Sequence, residues 1–98
     1  MEKTKLPEPF RTDWINDLRS GEYKQGTGML LFDGKFCCLG VGASIKGAEK
    51  KDLIRKGITP RRMEFDTGLT FEEKIDLVLM NDNGKTFSEI AGYIEQNH

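Results

Sequence analysis

Two segments late in the sequence share one opening, and that repetition limits the fold more than any other feature. Thr70-Phe71-Glu72-Glu73 leads into an apolar run through Ile75, Leu77, Val78, Leu79 and Met80, and Thr86-Phe87-Ser88-Glu89 leads into Ile90, Ala91 and Ile94. Each is a capping box, in which the Thr hydroxyl takes the amide of the third helical residue and the Glu at that position reaches back to the Thr amide. Between them, Asn81-Asp82-Asn83-Gly84-Lys85 has turn residues at nearly every position. The two segments are therefore expected to form an αα-hairpin whose buried face carries Phe87, Ile90, Ala91 and Ile94.

The remainder of the chain has to supply what this hairpin packs against. Residues 1–9, with Pro7 and Pro9, read as an extended lead-in. Phe10, Trp14, Ile15 and Leu18 then recur at helical spacing. Thr12 or Pro9 opens this helix, and Gly21 stands where a left-handed residue would end it near Ser20. Tyr23 to Gly28 reads as a loop. Met29-Leu30-Leu31-Phe32 and Lys35-Phe36-Cys37-Cys38-Leu39 flank Asp33-Gly34, a pair that tolerates the positive φ angles of a two-residue hairpin turn. From Leu39 to Ile45 small and larger apolar residues alternate, a pattern open to helix or strand, with Gly47 as its stop. Residues 48–69 are basic and read as an irregular or partly helical connection, broken by Gly57 and Pro60. At 98 residues and 37% hydrophobic content, the chain can bury one modest core. The expectation is a small single α+β domain, 1–98, with an N-terminal helix, a short β-hairpin and a C-terminal helical hairpin.

No apolar run approaches the roughly 20 residues that cross a bilayer, and the first residues, Met1-Glu2-Lys3-Thr4-Lys5, are no signal core. Neither export nor a membrane is expected. Cys37 and Cys38 are the only cysteines and are adjacent, so a disulfide framework cannot be built and a reducing, cytoplasmic compartment fits. Charge is segregated. Residues 46–62 hold seven bases against two acids, a net of +5, while residues 63–98 hold eight acids against two bases, a net of −6.

Reactive groups are scarce. Zinc needs four ligands, and the single histidine, His98, is expected at a frayed end. A nucleophilic cysteine wants an activating base that cannot be placed. On a strand Cys37 and Cys38 would point to opposite faces, which puts at least one of them in the core. Carboxylates such as Glu72, Glu73, Asp76 and Asp82 are accounted for by helix caps and solubility. No catalytic residue, metal or cofactor is expected.

Two segments are candidates for binding. In Lys24-Gln25-Gly26-Thr27-Gly28 the closely spaced glycines would let consecutive backbone amides face an anion, with Lys24 adding charge and Thr27 a hydroxyl. The spacing is neither a P-loop nor a dinucleotide fingerprint, and a plain helix-to-strand turn is the reading it favours over a cradle. If the segment is a nucleotide-like cradle, Lys24, Gln25, Gly26 and Thr27 carry it, with Cys38 and Asn81 as walls. The second candidate is a partner surface formed by Lys50, Lys51, Arg55, Arg61 and Arg62. It would also offer a polyanion weak, salt-sensitive contact, against which stand the pI of about 5.8 and the acidic flank.

Three blocks, residues 14–26, Phe36-Cys37-Cys38-Leu39-Gly40-Val41 and residues 80–91, distributed along nearly the whole chain, resemble a group of small, uncharacterised bacteriophage and prophage proteins. The group often carries a further Cys just after the Cys-Cys-Leu-Gly block, where this chain has Gly42, Ala43 and Ser44. The resemblance implies a non-enzymatic accessory protein, active in host takeover or counter-defence, that binds and inhibits or sequesters a host protein or a nucleotide-like signal in the bacterial cytoplasm. Nucleic-acid binding through the basic segment, and a small enzyme using carboxylates or a thiol, are the alternatives. Self-association is left open.

Overall fold

Why the chain turns where it does is clearest at its first helix. The computed structural model describes residues 3–54 and 67–98. Helix α1, Phe10–Ser20, follows Pro9, and the carbonyls of Pro7 and Pro9 accept the amides of Arg11 and Asp13 at 3.0 Å each. It ends at Gly21, whose φ of +78° is the left-handed turn anticipated for that residue. Phe10, Trp14, Ile15 and Leu18 face the core, as their spacing predicts.

The Asp33-Gly34 turn forms with φ of +53° and +75°, and joins two short antiparallel strands, β2 (Leu31–Phe32) and β3 (Lys35–Phe36). Their register sets Leu31 opposite Phe36 and Phe32 opposite Lys35. A further strand was not anticipated. Residues Lys24–Gln25, read above as loop, form β1 and pair parallel with β3, Lys24 beside Lys35 and Gln25 beside Phe36, giving the order β1-β3-β2. The hairpin is shorter than the sequence suggests because the chain leaves the sheet at Cys37. That residue is extended, and its thiol accepts the Gly40 amide at 3.4 Å, which makes it the N-cap of helix α2, Cys38–Ile45. The two cysteines therefore do not alternate across a strand, yet both are buried.

Helix α2 resolves the ambiguous apolar stretch and runs through the middle of the molecule, with Cys38 to Ala43 buried. Its small residues are a packing requirement. A Cβ on Gly40 would stand 2.1 Å from the Leu30 carbonyl oxygen, and one on Gly42 would stand 3.0 Å from the Trp14 ring. Trp14 lies against this face and its indole donates to the Cys38 carbonyl at 3.0 Å, a bond that a fully buried indole needs.

Helix α3, Lys50–Ile54, lies in the connection read as partly helical and is anchored by the buried Leu53, while residues 55–66 of that connection lie outside the described residues. Helices α4, Phe71–Asp82, and α5, Phe87–Asn97, both start with the complete capping box. Thr70 accepts from Glu73 at 3.1 Å and Thr86 from Glu89 at 3.2 Å, each with the return bond from the Thr amide. Helix α4 extends two residues into the run read as turn, so Asn81 lies within it. Phe87, Ile90, Ala91 and Ile94 form the buried face of α5, as expected. Helix α1 packs on α5 and α2, and α2 packs on α4. The result is an α+β domain with one core. The end of α5 is fastened rather than frayed: Leu6 donates its amide to the His98 carbonyl at 2.9 Å, and His98 is buried. Among the described residues, no helix is long and apolar enough to cross a membrane.

Candidate functional site

The candidate loop meets the helical hairpin at one buried amide. The side chain of Asn81, 1% exposed, has two donors and two lone pairs to satisfy. Its Oδ1 accepts from Gln25 Nε2 at 3.0 Å and from the Cys38 amide at 3.2 Å. Its Nδ2 donates to the Gly26 carbonyl at 2.8 Å and, at 3.4 Å, to Asp82 Oδ1. Gln25 also donates to the Lys85 carbonyl at 2.6 Å and accepts the Phe87 amide at 3.0 Å. Strand β1, the start of α2 and the α4–α5 turn are thus locked together by two side-chain amides.

Gln25, Gly26, Cys38 and Asn81 are therefore brought together, but by bonds that satisfy one another. The Gly26 amide donates to the Phe36 carbonyl at 2.7 Å and the Gly28 amide to Asp82 Oδ1 at 3.1 Å. These amides are spent inside the fold, so consecutive backbone donors do not form the anion cradle that the glycine spacing suggested. What this locus presents outward is side chain.

Side chains alternate across a sheet, and residues in register share a face. Gln25, Leu31 and Phe36 turn inward; Lys24, Lys35 and Phe32 form a row on the outer face, in strand order β1, β3, β2. All three are exposed, and Phe32 is 62% exposed. An open depression of about 330 Å³ lies beside the row, lined by Gln25, Gly26, Thr27, Phe32 and Lys35. Gly26 permits this close packing, since a Cβ there would come within 2.7 Å of the Lys35 Cβ. Phe32 and Lys35 were not singled out from the sequence. The signal was present, because a two-residue Asp-Gly turn sets those flanking residues opposite each other.

The thiols are placed for packing. Burial pushes Cys37 up to about 11, against the pull of the Gly40 and Leu39 amides, and pushes Cys38 well above the ordinary thiol range. Both remain thiols at neutral pH, and Cys38 Sγ lies 3.6 Å from the Leu77 carbonyl. The His98 ring is enclosed as well. Its Nδ1 is 2.7 Å from the Thr4 carbonyl, an acceptor only, so Nδ1 carries the hydrogen. Glu73 Oε2 lies 3.8 Å from the same nitrogen. Burial would raise the Glu73 carboxyl, but donors from Thr4 and Thr70 outweigh it and hold it down at about 2. Among the described residues, no three potential metal ligands gather.

Lys50 and Lys51 are exposed on α3, with Lys51 Nζ 3.1 Å from Glu49; Arg55, Arg61 and Arg62 lie outside the described residues. A second depression, about 500 Å³, separates the N-terminal segment from the end of α5. Two of its groups are engaged within the fold: Arg11 donates to the Glu95 carbonyl at 2.8 Å, and the Glu95 carboxylate pairs with Arg19 at 3.0 Å.

A family model described as a domain of unknown function, DUF8296, matches residues 7–58, which span α1, the sheet, α2 and α3. No curated protein and no solved structure matches the chain.

Proposed function

We propose that this chain, which belongs to the DUF8296 family, is a non-enzymatic binding protein of the bacteriophage accessory type that captures a host factor in the bacterial cytoplasm. One observation supports this above others: the groups best suited to covalent or acid–base chemistry are enclosed and committed to the fold. Cys37 and Cys38 are held as buried thiols, the imidazole of His98 serves the Thr4 carbonyl, and Glu73 serves its helix cap. A nucleophile needs a thiolate or an adjacent base within hydrogen-bond reach, and this arrangement supplies neither. Lys24 and Lys35, by contrast, stand exposed side by side on one face of the sheet. The resemblance to phage proteins adds the biological setting.

The test is stoichiometry. Tagged protein is purified from bacterial cells without denaturation, the retained molecule is identified, and its binding to fresh protein is titrated. The reading predicts one molecule held per site and recovered chemically unchanged. Multiple turnovers by correctly folded protein, lost on changing a single polar side chain, would refute it.

A further inference from the structure

We infer that the outer face of the sheet is a site for a nucleotide, with the base laid on Phe32 and the phosphates met by Lys35 and Lys24. This rests on the reading of the chain as a binding protein and names the ligand class of that site.

The argument begins with register. Adjacent strands lie about 4.8 Å apart, so a row of one residue from each of three strands spans roughly 10 Å. That is comparable with the extent of a base joined to a short phosphate chain. The order matters as much as the length. The aromatic ring is at one end on β2, one ammonium is central on β3, and the other is at the far end on β1. A ligand flat and apolar at one end and anionic at the other fits this row in one direction only.

Exposure supplies the second line. A phenylalanine at 62% exposure leaves most of its ring face in water, whereas its strand neighbour Leu31 is buried. Every nucleobase has a π face, which makes stacking on such a ring general across bases. Neither Lys24 nor Lys35 has an ion-pair partner among the described residues, unlike Lys51 and Lys85, which do. Asp82, exposed on the loop side, has its Oδ1 occupied by the Gly28 amide at 3.1 Å and by Asn81 Nδ2 at 3.4 Å. Thr27 lines the depression next to Lys35 and adds a hydroxyl. At about 330 Å³ the depression lies at the small end of ligand sites, which run from about 300 to 1,000 Å³.

The backbone under the row is rigid. Gln25 and Gly26 are bonded to Asn81, Lys85, Phe87 and Phe36, so the lysine-bearing strands are held before a ligand arrives. Preorganisation of this kind lowers the ordering cost of binding. Gln25 and Gly26 are thus positioning residues, and Lys24, Thr27, Phe32 and Lys35 are the contacts.

Calorimetric titration of the full chain with ADP, adenosine and inorganic phosphate tests the site, with a deoxythymidine decamer as a separate arm. ADP is expected to bind more tightly than either fragment. Phe32→Ala should weaken ADP binding by about tenfold, and Lys35→Gln should weaken ADP while sparing adenosine. Lys24→Gln gives the same readout from a second position. All three positions are exposed, and unchanged melting temperatures verify the fold. A decamer that binds more tightly than ADP, with the same dependence on Phe32, assigns the nucleotide to a single strand; equal or weaker binding assigns it to the free molecule. ADP binding no tighter than phosphate, or unaffected by Phe32→Ala, overturns the site. The broader binding reading is decided separately by the stoichiometry of the retained molecule.

Discussion

At the scale of single residues, Asn81 does more for this structure than its place in the sequence suggests. Its amide faces the Cys38 amide, the Gly26 carbonyl and Gln25 at once, and the Cys38 amide, on a fully buried residue, has no water as a ready substitute. Asn81→Ala leaves the buried Cys38 amide without its acceptor and the half-buried Gly26 carbonyl and Gln25 amide without this partner, at about 1–3 kcal/mol for a buried group. The expected loss of unfolding free energy in urea is about 2–4 kcal/mol. Asn81→Asp keeps the acceptor but removes the donor to Gly26 and sets a buried carboxylate beside Asp82, so its defect should shrink as the pH falls and the new carboxyl is protonated. A loss under about 0.5 kcal/mol for Asn81→Ala, the range of ordinary surface changes, would show that the junction is not what holds the loop. The residue type was visible in the sequence and its depth was not. Asn81 sits in a run of turn formers, and only the extra length of α4 carries it into the core.

The elements divide by how much of their signal is local. Helices α1, α4 and α5 announce themselves through spacing and caps, because each cap joins residues three apart in sequence. Strand β1 does not, since two residues held by Phe36 and Asn81 carry no periodicity of their own. The Cys37-Cys38 pair misleads for a related reason: β-prone residues before it extend the strand on paper, while the thiol cap at Cys37 ends it in the fold. At α4 the cap also carries a pH signature. Glu73, 13% exposed, is held at about 2 against an ordinary 4.5. A carboxyl depressed by folding stabilises the native state above its unfolded pKa, and that contribution is lost as the pH falls towards the folded value. Glu73→Gln should therefore cost about 2 kcal/mol at pH 7, with the deficit narrowing between pH 5 and 2 and closing near pH 2. Denaturant unfolding of both proteins across that range measures it, and a deficit independent of pH would assign the role to packing rather than charge.

For the molecule as a whole, one core decides which chemistry is available. The α+β class and the order of its parts were legible because the helices and the Asp33-Gly34 turn each carry a local rule. The face that the sheet turns outward was not, because it depends on register between strands, one of them unforeseen. The same core isolates the thiols: Cys37 is the cap of the central helix and Cys38 lies under Asn81 and Leu77. No smaller unit can move aside to expose them without breaking the contacts of α2 with α1 and α4. Their modification should then follow global unfolding, as protection of core groups does. With a stability at the low end of about 5–15 kcal/mol, labelling by a disulfide reagent at neutral pH should be at least about a thousandfold slower than for the unfolded chain. In Asn81→Ala it should accelerate by the factor that urea unfolding gives for that variant. A thiol that reacts at the free rate while the circular dichroism spectrum stays native would reveal local opening at α2, and would make a nucleophile available from the core.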